Sequence, residues 1–227
     1  MWFMTLVCAH RGASLIHKEN TLEAFAHAVE LGSDWIELDV WLSGDGYVVV
    51  HHDGITNSGL RIEVTDLSAL SNDIPILNSA LQSCFGANVN IELKTSTSTE
   101  LEGFVSSVLA VTEEVATEQE TLLSSFNREA LHCARRLSAS TRLGVLVYSQ
   151  ITDTKQFLQQ IKVDGFQAIH PHYSLVDENF VREAHDSELQ VNVWTVNDPL
   201  IVKRLVDFGV DSVITDDPEM VRKLVDA

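Results

Sequence analysis

Short apolar runs alternate along the chain with segments of helical periodicity, at intervals of roughly two dozen residues, as repeated βα units feeding a parallel sheet require. The pattern predicts strands at Leu6–Ala9, Trp35–Val40, Val89–Leu93, Thr121–Ser125, Leu143–Val147, Ala168–His170, Val191–Thr195 and Ser212–Thr215. Eight such runs fit a closed (β/α)8 TIM barrel, an α/β fold. A ninth run, Tyr47–His51, follows the second after only Ser43-Gly44-Asp45-Gly46. That link is too short for a parallel crossover, so the run must return as a short antiparallel hairpin strand at the barrel mouth.

The helices carry their own start and stop signals. Asn20 with Glu23 three residues on reads as a capping box ahead of Leu22, Phe25, Ala26 and Val29. Asn127 precedes a helical pattern over 128–137, and Asp198-Pro199 and Asp217-Pro218 each place an N-cap before a proline at the first helical position. Gly32 and Gly209 fall where helices should end. These Asn and Asp residues are therefore assigned to capping rather than catalysis. From Gly54 to Leu77 the pattern is irregular. This stretch is expected to replace the helix between the second and third barrel strands, as a reduced insertion over the C-terminal face that shapes a substrate site.

Composition narrows the class. A 45% hydrophobic content supports a sizeable core, and four prolines with no Ser/Gly-rich or charge-block segment leave no linker, so residues 1–227 read as a single domain. Fifteen Lys and Arg against 33 Asp and Glu give a net charge of −18, which argues against nucleic acid and suits anionic bilayers poorly. If the substrate is an anion, the positive charge that captures it must be local. Cys8, Cys84 and Cys133 are odd in number, widely spaced and without a CxxC, so neither a disulfide frame nor a zinc site is indicated and a cytoplasmic location is expected. The opening Met1-Trp2-Phe3-Met4-Thr5 runs into a strand without a basic region and long apolar core, and no apolar stretch nears the ~20 residues that span a bilayer. A soluble, unprocessed protein is expected.

The chemistry gathers where strands end. In Trp35-Ile36-Glu37-Leu38-Asp39-Val40 the two-residue period puts Glu37 and Asp39 on one face and the apolar residues on the other. Asn90, Glu92 and Lys94 repeat this on another strand, with Ile91 and Leu93 facing out. Inward carboxylates are costly unless compensated, and Glu37, Asp39 and Glu92 together suit a hard divalent cation, Mg²⁺ or Ca²⁺. Lys94 either neutralises part of this cluster or holds a substrate oxygen.

His10 and His52 each end an apolar strand beside a second charged group, and such a pair can give and take protons near neutral pH. His51 rivals His52, and the alternation of residues 48–51 does not decide between them. His17, His27, His132 and His185 lie on helix or loop patterns and read as packed or surface residues. Arg11 can fork onto phosphate oxygens, and Gly12 permits close backbone approach. Trp194 and Phe126 suit either the core or a pocket wall.

In order along the chain, His10-Arg11-Gly12, Glu19-Asn20-Thr21, Glu37-Leu38-Asp39-Val40, Asp45-Gly46, Val49-Val50-His51-His52-Asp53, Ile91-Glu92-Leu93-Lys94, Ser124-Ser125-Phe126, Val193-Trp194-Thr195-Val196-Asn197 and Ile214-Thr215-Asp216 resemble the glycerophosphodiester phosphodiesterase family. The resemblance implies a metal-dependent phosphodiesterase barrel that releases sn-glycerol 3-phosphate and an alcohol from deacylated phospholipids. It assigns acid/base chemistry to His10 and His52, metal ligation to Glu37, Asp39 and Glu92, phosphate contacts to Arg11 and Lys94, and the pocket wall to Trp194 and Phe126. It thereby selects His52 over His51.

This sequence departs from the family in the short segment after Asp53, which lacks the usual Asp-Arg pair and longer insertion, and in Ile76-Leu77-Asn78, where an acidic residue is common. A smaller cap would admit a larger or lipid-like diester. Two other classes are therefore weighed. A lysophospholipase D-like enzyme would share the catalytic residues and need an apolar groove for an acyl chain. A non-catalytic phosphate-binding barrel would be expected to have lost one of the set.

Overall fold

In the computed structural model, residues 4–226 are described, so Met1-Trp2-Phe3 of the segment read as free of a leader lie outside the described residues. The strands are β1 (Leu6–His10), β2 (Trp35–Leu42), β3 (Val48–Val50), β4 (Asn88–Leu93), β5 (Thr121–Ser125), β6 (Arg142–Val147), β7 (Ala168–Pro171), β8 (Gln190–Val193) and β9 (Ser212–Thr215). Between and after them run α1 (Leu22–Glu30), α2 (Leu77–Ser83), α3 (Leu101–Val115), α4 (Arg128–Leu137), α5 (Thr154–Val163), α6 (Glu178–Asp186), α7 (Pro199–Phe208) and α8 (Pro218–Val225).

Eight strands pair in parallel in the order β1-β9-β8-β7-β6-β5-β4-β2, and β2 returns to β1, which closes the barrel. β3 is bonded outside this ring, antiparallel to β2, with Val40 opposite Val50 and Leu42 opposite Val48. The expected hairpin strand is thus present. Alternation along each strand decides which residues meet the helices: Val7, Ala9, Ile36, Leu38, Val40, Val89 and Ile91 are fully buried against them in one continuous core. Among the described residues no helix is long and apolar enough to cross a membrane, and all three cysteines are buried and unpaired.

Three local expectations are corrected. The helix between the second and third barrel strands is not replaced: α2 occupies its place, and Leu77, Ala80 and Leu81 at the i, i+3, i+4 positions bury its inner face. Its start has no side-chain cap, and with seven residues its period is short, which is why it read as loop. Preceding it, residues 54–76 form two 3₁₀ turns, Ile62–Val64 and Leu67–Ala69. These sit on a small apolar cluster of Trp41, Val49, Ile62, Leu70 and Ile74.

The second correction concerns the start of α1. Thr21, not Asn20, is its N-cap, accepting from the Ala24 amide at 3.3 Å, while Asn20 adopts a left-handed φ of 57° and turns inward. Third, β8 ends at Val193, and Trp194 makes only a single bridge, to His172. The caps at Asn127, Asp198 and Asp217 and the left-handed Gly209 form as expected.

Candidate active site

Register assembles the site. His10, the last residue of β1, stands beside Glu37 on β2, and Asp39 stands beside Glu92 on β4, so four chemically active side chains project from the C-terminal ends of three adjacent strands. One oxygen from each of Glu37, Asp39 and Glu92 lies within 4.8 Å of the others. Lys94, just past β4, sets its Nζ 2.9 Å from Glu92 Oε1 and 3.5 Å from Asp39 Oδ1. From the other side Arg11 Nε lies 3.2 Å from Asp39 Oδ2, and Asn20 Nδ2 donates to the same oxygen at 2.8 Å.

The turn after β1 is shaped for this. Arg11 is left-handed, at φ 55°, which points its backbone N–H at Glu37 Oε2, 3.0 Å away. Gly12 follows at φ 82°, and a Cβ there would come within 2.6 Å of the Ala24 carbonyl carbon, so only glycine lets the turn seat on α1.

Both histidines are oriented in the same way. His10 Nδ1 is 2.6 Å from Asp216 Oδ1, and Asp216 is itself held by Ser14 Oγ and Asn197 Nδ2. His52 Nδ1 is 2.8 Å from Asp53 Oδ1, and the His52 carbonyl accepts from Trp41 Nε1 at 3.1 Å. A carboxylate at Nδ1 selects the tautomer that leaves Nε2 for chemistry. His51 instead engages the Asp53 carbonyl through Nδ1, at 2.8 Å.

A cavity of about 90 Å³ is lined by His10, Arg11, Glu37, His52, Glu92 and Lys94, with Phe126, Leu146 and Trp194 on the facing wall. Asp39, fully buried against Arg11, Asn20 and Lys94, does not itself line the cavity, and neither does His51. Phe126 and Trp194 meet edge to face, 5.5 Å between centroids, and the indole is pinned by its N–H to the His170 carbonyl at 2.7 Å. All nine residues singled out from the sequence therefore converge on one end of the barrel. Asp53 and Asp216, the two carboxylates that orient the histidines, stand within the motifs quoted from the sequence, which assigns them no orienting role. Each directly follows a strand end or a histidine, but aspartate is so common at helix starts that position alone does not distinguish the roles.

The electrostatics of the cluster are unbalanced, since three carboxylates face the two cations Arg11 and Lys94. Burial, then the neighbouring Asp39 and Glu92, push the Glu37 carboxyl well above the ordinary range. Burial and Asp39 push Glu92 up to about 7. For Asp39 burial acts in the same sense but is outweighed by Lys94, Arg11 and the Asn20 hydrogen bond, so it stays ionised. Burial lowers the His52 imidazole, with Lys94 and Arg11 adding to the effect. Glu37 Oε1 and Asp39 Oδ1 are buried with no hydrogen-bond partner. Unpartnered oxygens within an all-carboxylate donor set fit a hard divalent cation.

Comparison with known proteins gives the family. The sequence profile of the Glycerophosphoryl diester phosphodiesterase family matches residues 10–220. The chain belongs to this family. It is accordingly a phosphoric diester hydrolase. A glycerophosphodiester phosphodiesterase of Caldanaerobacter subterraneus subsp. tengcongensis is 30% identical over 241 residues, covering 97% of this chain and 98% of the relative. YqiK of Bacillus subtilis (strain 168), an uncharacterized protein, is 32% identical over 244 residues, with 98% and 99% covered. Among solved structures, an Oleispira antarctica phosphodiesterase in complex with the product sn-glycerol-3-phosphate superposes with a TM-score of 0.92 at 27% identity, covering 99% of this chain and 98% of that chain.

Proposed function

We propose that this family member hydrolyses glycerophosphodiesters to sn-glycerol 3-phosphate and an alcohol, with a divalent cation, Mg²⁺ or Ca²⁺, as cofactor and His10 and His52 as the proton-transfer pair. The observation that carries the reading is the pairing of two imidazoles, each with Nδ1 held by its own carboxylate, around a partly unpartnered carboxylate cluster. The product seen in the Oleispira relative supports the substrate class.

Glu37, Asp39 and Glu92 would hold the cation, which when bound supplies positive charge to stabilise the charge building on the phosphoryl oxygens. Arg11 and Lys94, already oriented by Asp39 and Glu92, present the remaining donors to the phosphate. One histidine accepts the proton of the attacking hydroxyl at Nε2, and the other gives a proton from Nε2 to the departing alkoxide. Asp216 and Asp53 stabilise whichever imidazole is charged at that moment. Phe126 and Trp194 form an apolar wall that helps exclude bulk water from the reacting atoms.

The test is turnover of a panel of glycerophosphodiesters, with lysophospholipid as comparator, after exhaustive chelation and again with Mg²⁺, Ca²⁺ or Mn²⁺ restored. Activity on the glycerophosphodiesters should vanish with chelation and return with metal. Full turnover in protein shown by elemental analysis to be metal-free would overturn the cofactor, and preference for lysophospholipid would overturn the substrate class.

A further inference from the structure

A barrel of this kind is ordinarily filled by layers of bulky branched side chains. This one instead places Cys8, Asn90, Ser124, Gly144, His170 and Asn192 on the inward face of their strands, with Asn90 and Ser124 also lining the reaction pocket. Gly144 is what admits the imidazole: a Cβ there would fall 2.5 Å from His170 Nε2, which instead pairs with Asn192 Nδ2 at 3.0 Å. The small layer leaves a cavity of about 360 Å³, four times the volume of the reaction pocket, rimmed by residues at the N-terminal ends of the strands, among them Trp35, Arg142, Gln190 and Ser212. That lies within the ~300–1,000 Å³ of ligand pockets.

We infer that this chamber, which opens at the opposite end of the barrel and meets the reaction pocket at Asn90 and Ile214, is a second binding site for an uncharged hydroxylic ligand. Asn90 Oδ1, His170 Nδ1 and Ser212 Oγ are buried, on side chains more than nine-tenths covered, and have no hydrogen-bond partner. Buried polar groups left unpaired are costly, so they call for a partner that brings its own donors and acceptors. The ligand is uncharged because the lining offers no free charge. Burial holds the His170 pKa down at about 3, and burial, with Glu37 adding to it, pushes the Cys8 thiol up, so both are neutral. At the rim Arg142 is engaged by Glu120 and Gln190, and Asp211 by His185 and the Val191 amide. A hydroxyl both donates and accepts, and so serves amide, imidazole and serine alike. Two sources carry that chemistry, solvent water and a small polyol.

The test uses the full chain and its ¹H–¹⁵N side-chain resonances, and does not depend on activity. In polyol-free buffer, long-lived water should give nuclear Overhauser effects to the Asn192 and Gln190 amides, which line the chamber and not the reaction pocket. Titration with glycerol should give saturable shifts at the same groups if a polyol is the ligand, and none there if water alone is. Ser212→Leu, which breaks no hydrogen bond, should abolish either signal while sn-glycerol 3-phosphate still perturbs the Trp194 indole. Should that variant fail to fold, Ser212→Cys in a Cys8→Ala background, methylthiolated after folding, blocks the same layer. Absence of both signals, or their persistence in the blocked protein, would overturn the inference.

Discussion

His52 and its neighbour His51 differ by one residue and by everything that matters to chemistry. His52 lines the pocket with Nδ1 on a carboxylate, whereas His51 spends its Nδ1 on a backbone carbonyl. His10→Ala and His52→Ala should each lower kcat by at least ~10²-fold, the lower range for a positioned proton-transfer group, and His51→Ala should be far milder. The reverse order for the two adjacent histidines would move the assignment along the hairpin.

Glu92 makes a separate prediction. Its carboxyl is raised from 4.5 to about 7, chiefly by burial and next by Asp39, so between those values the folded metal-free chain keeps a proton that the unfolded chain has released. Its contribution to stability therefore falls as pH rises from about 4.5 to about 7. His170, held at about 3 by burial, contributes the opposite slope from about 3 up to its ordinary 6.5. The measurement is thus a difference: in chelator, the urea midpoint of Glu92→Gln should gain on wild type progressively across the window. A flat difference would mean that Glu92 titrates normally.

At the scale of elements, the β2–β3 hairpin is what delivers His52. Trp41, near the end of β2, is buried and ties its indole N–H to the His52 carbonyl while packing in the cluster beneath the 3₁₀ turns. Trp41→Phe keeps most of the apolar contact and removes that hydrogen bond. It should cost about 1 kcal/mol in denaturant unfolding and lower kcat several-fold with KM little changed, since it displaces a proton-transfer group rather than a binding contact. Loss of KM alone would show instead that the hairpin shapes the substrate pocket.

The hairpin itself was legible because its four-residue link excludes a crossover. Helix α2 was not, because it is short and uncapped and depends on burying Leu77, Ala80 and Leu81 against the barrel. For a related reason the capping box at Asn20 does not form. Its spacing to Glu23 satisfies a capping pattern, but Thr21 takes the cap and frees Asn20 to bind Asp39 across the barrel mouth.

For the whole molecule, a net charge of −18 repels the anionic diesters that the proposed reaction consumes, so capture falls to Arg11, Lys94 and the cation. Screening by monovalent salt acts first on the long-range repulsion. With metal saturating, kcat/KM for a glycerophosphodiester should therefore hold or rise modestly as ionic strength increases, and Arg11→Ala should weaken binding at every salt concentration. A steep fall with salt in the wild-type chain would reveal a positive approach path that outweighs the bulk charge.

Periodicity by itself determined the barrel, because eight apolar runs separated by helical segments have few other ways to bury both faces of a parallel sheet. It also determined that Glu37, Asp39 and Glu92 point inward, since a strand alternates its side chains whatever surrounds it. Only the closed barrel decided what those carboxylates meet. The register of β2 with β4 brings Glu37, Asp39 and Glu92 within ligand distance, pairing with β1 sets His10 beside Glu37, and the loop after β9 returns Asp216 to His10 across 206 residues of sequence. The polar chamber below was equally hidden. Cys8, Asn90, His170 and Asn192 lie on four strands, and local patterning cannot show that their inward faces share one cavity until the sheet closes around it.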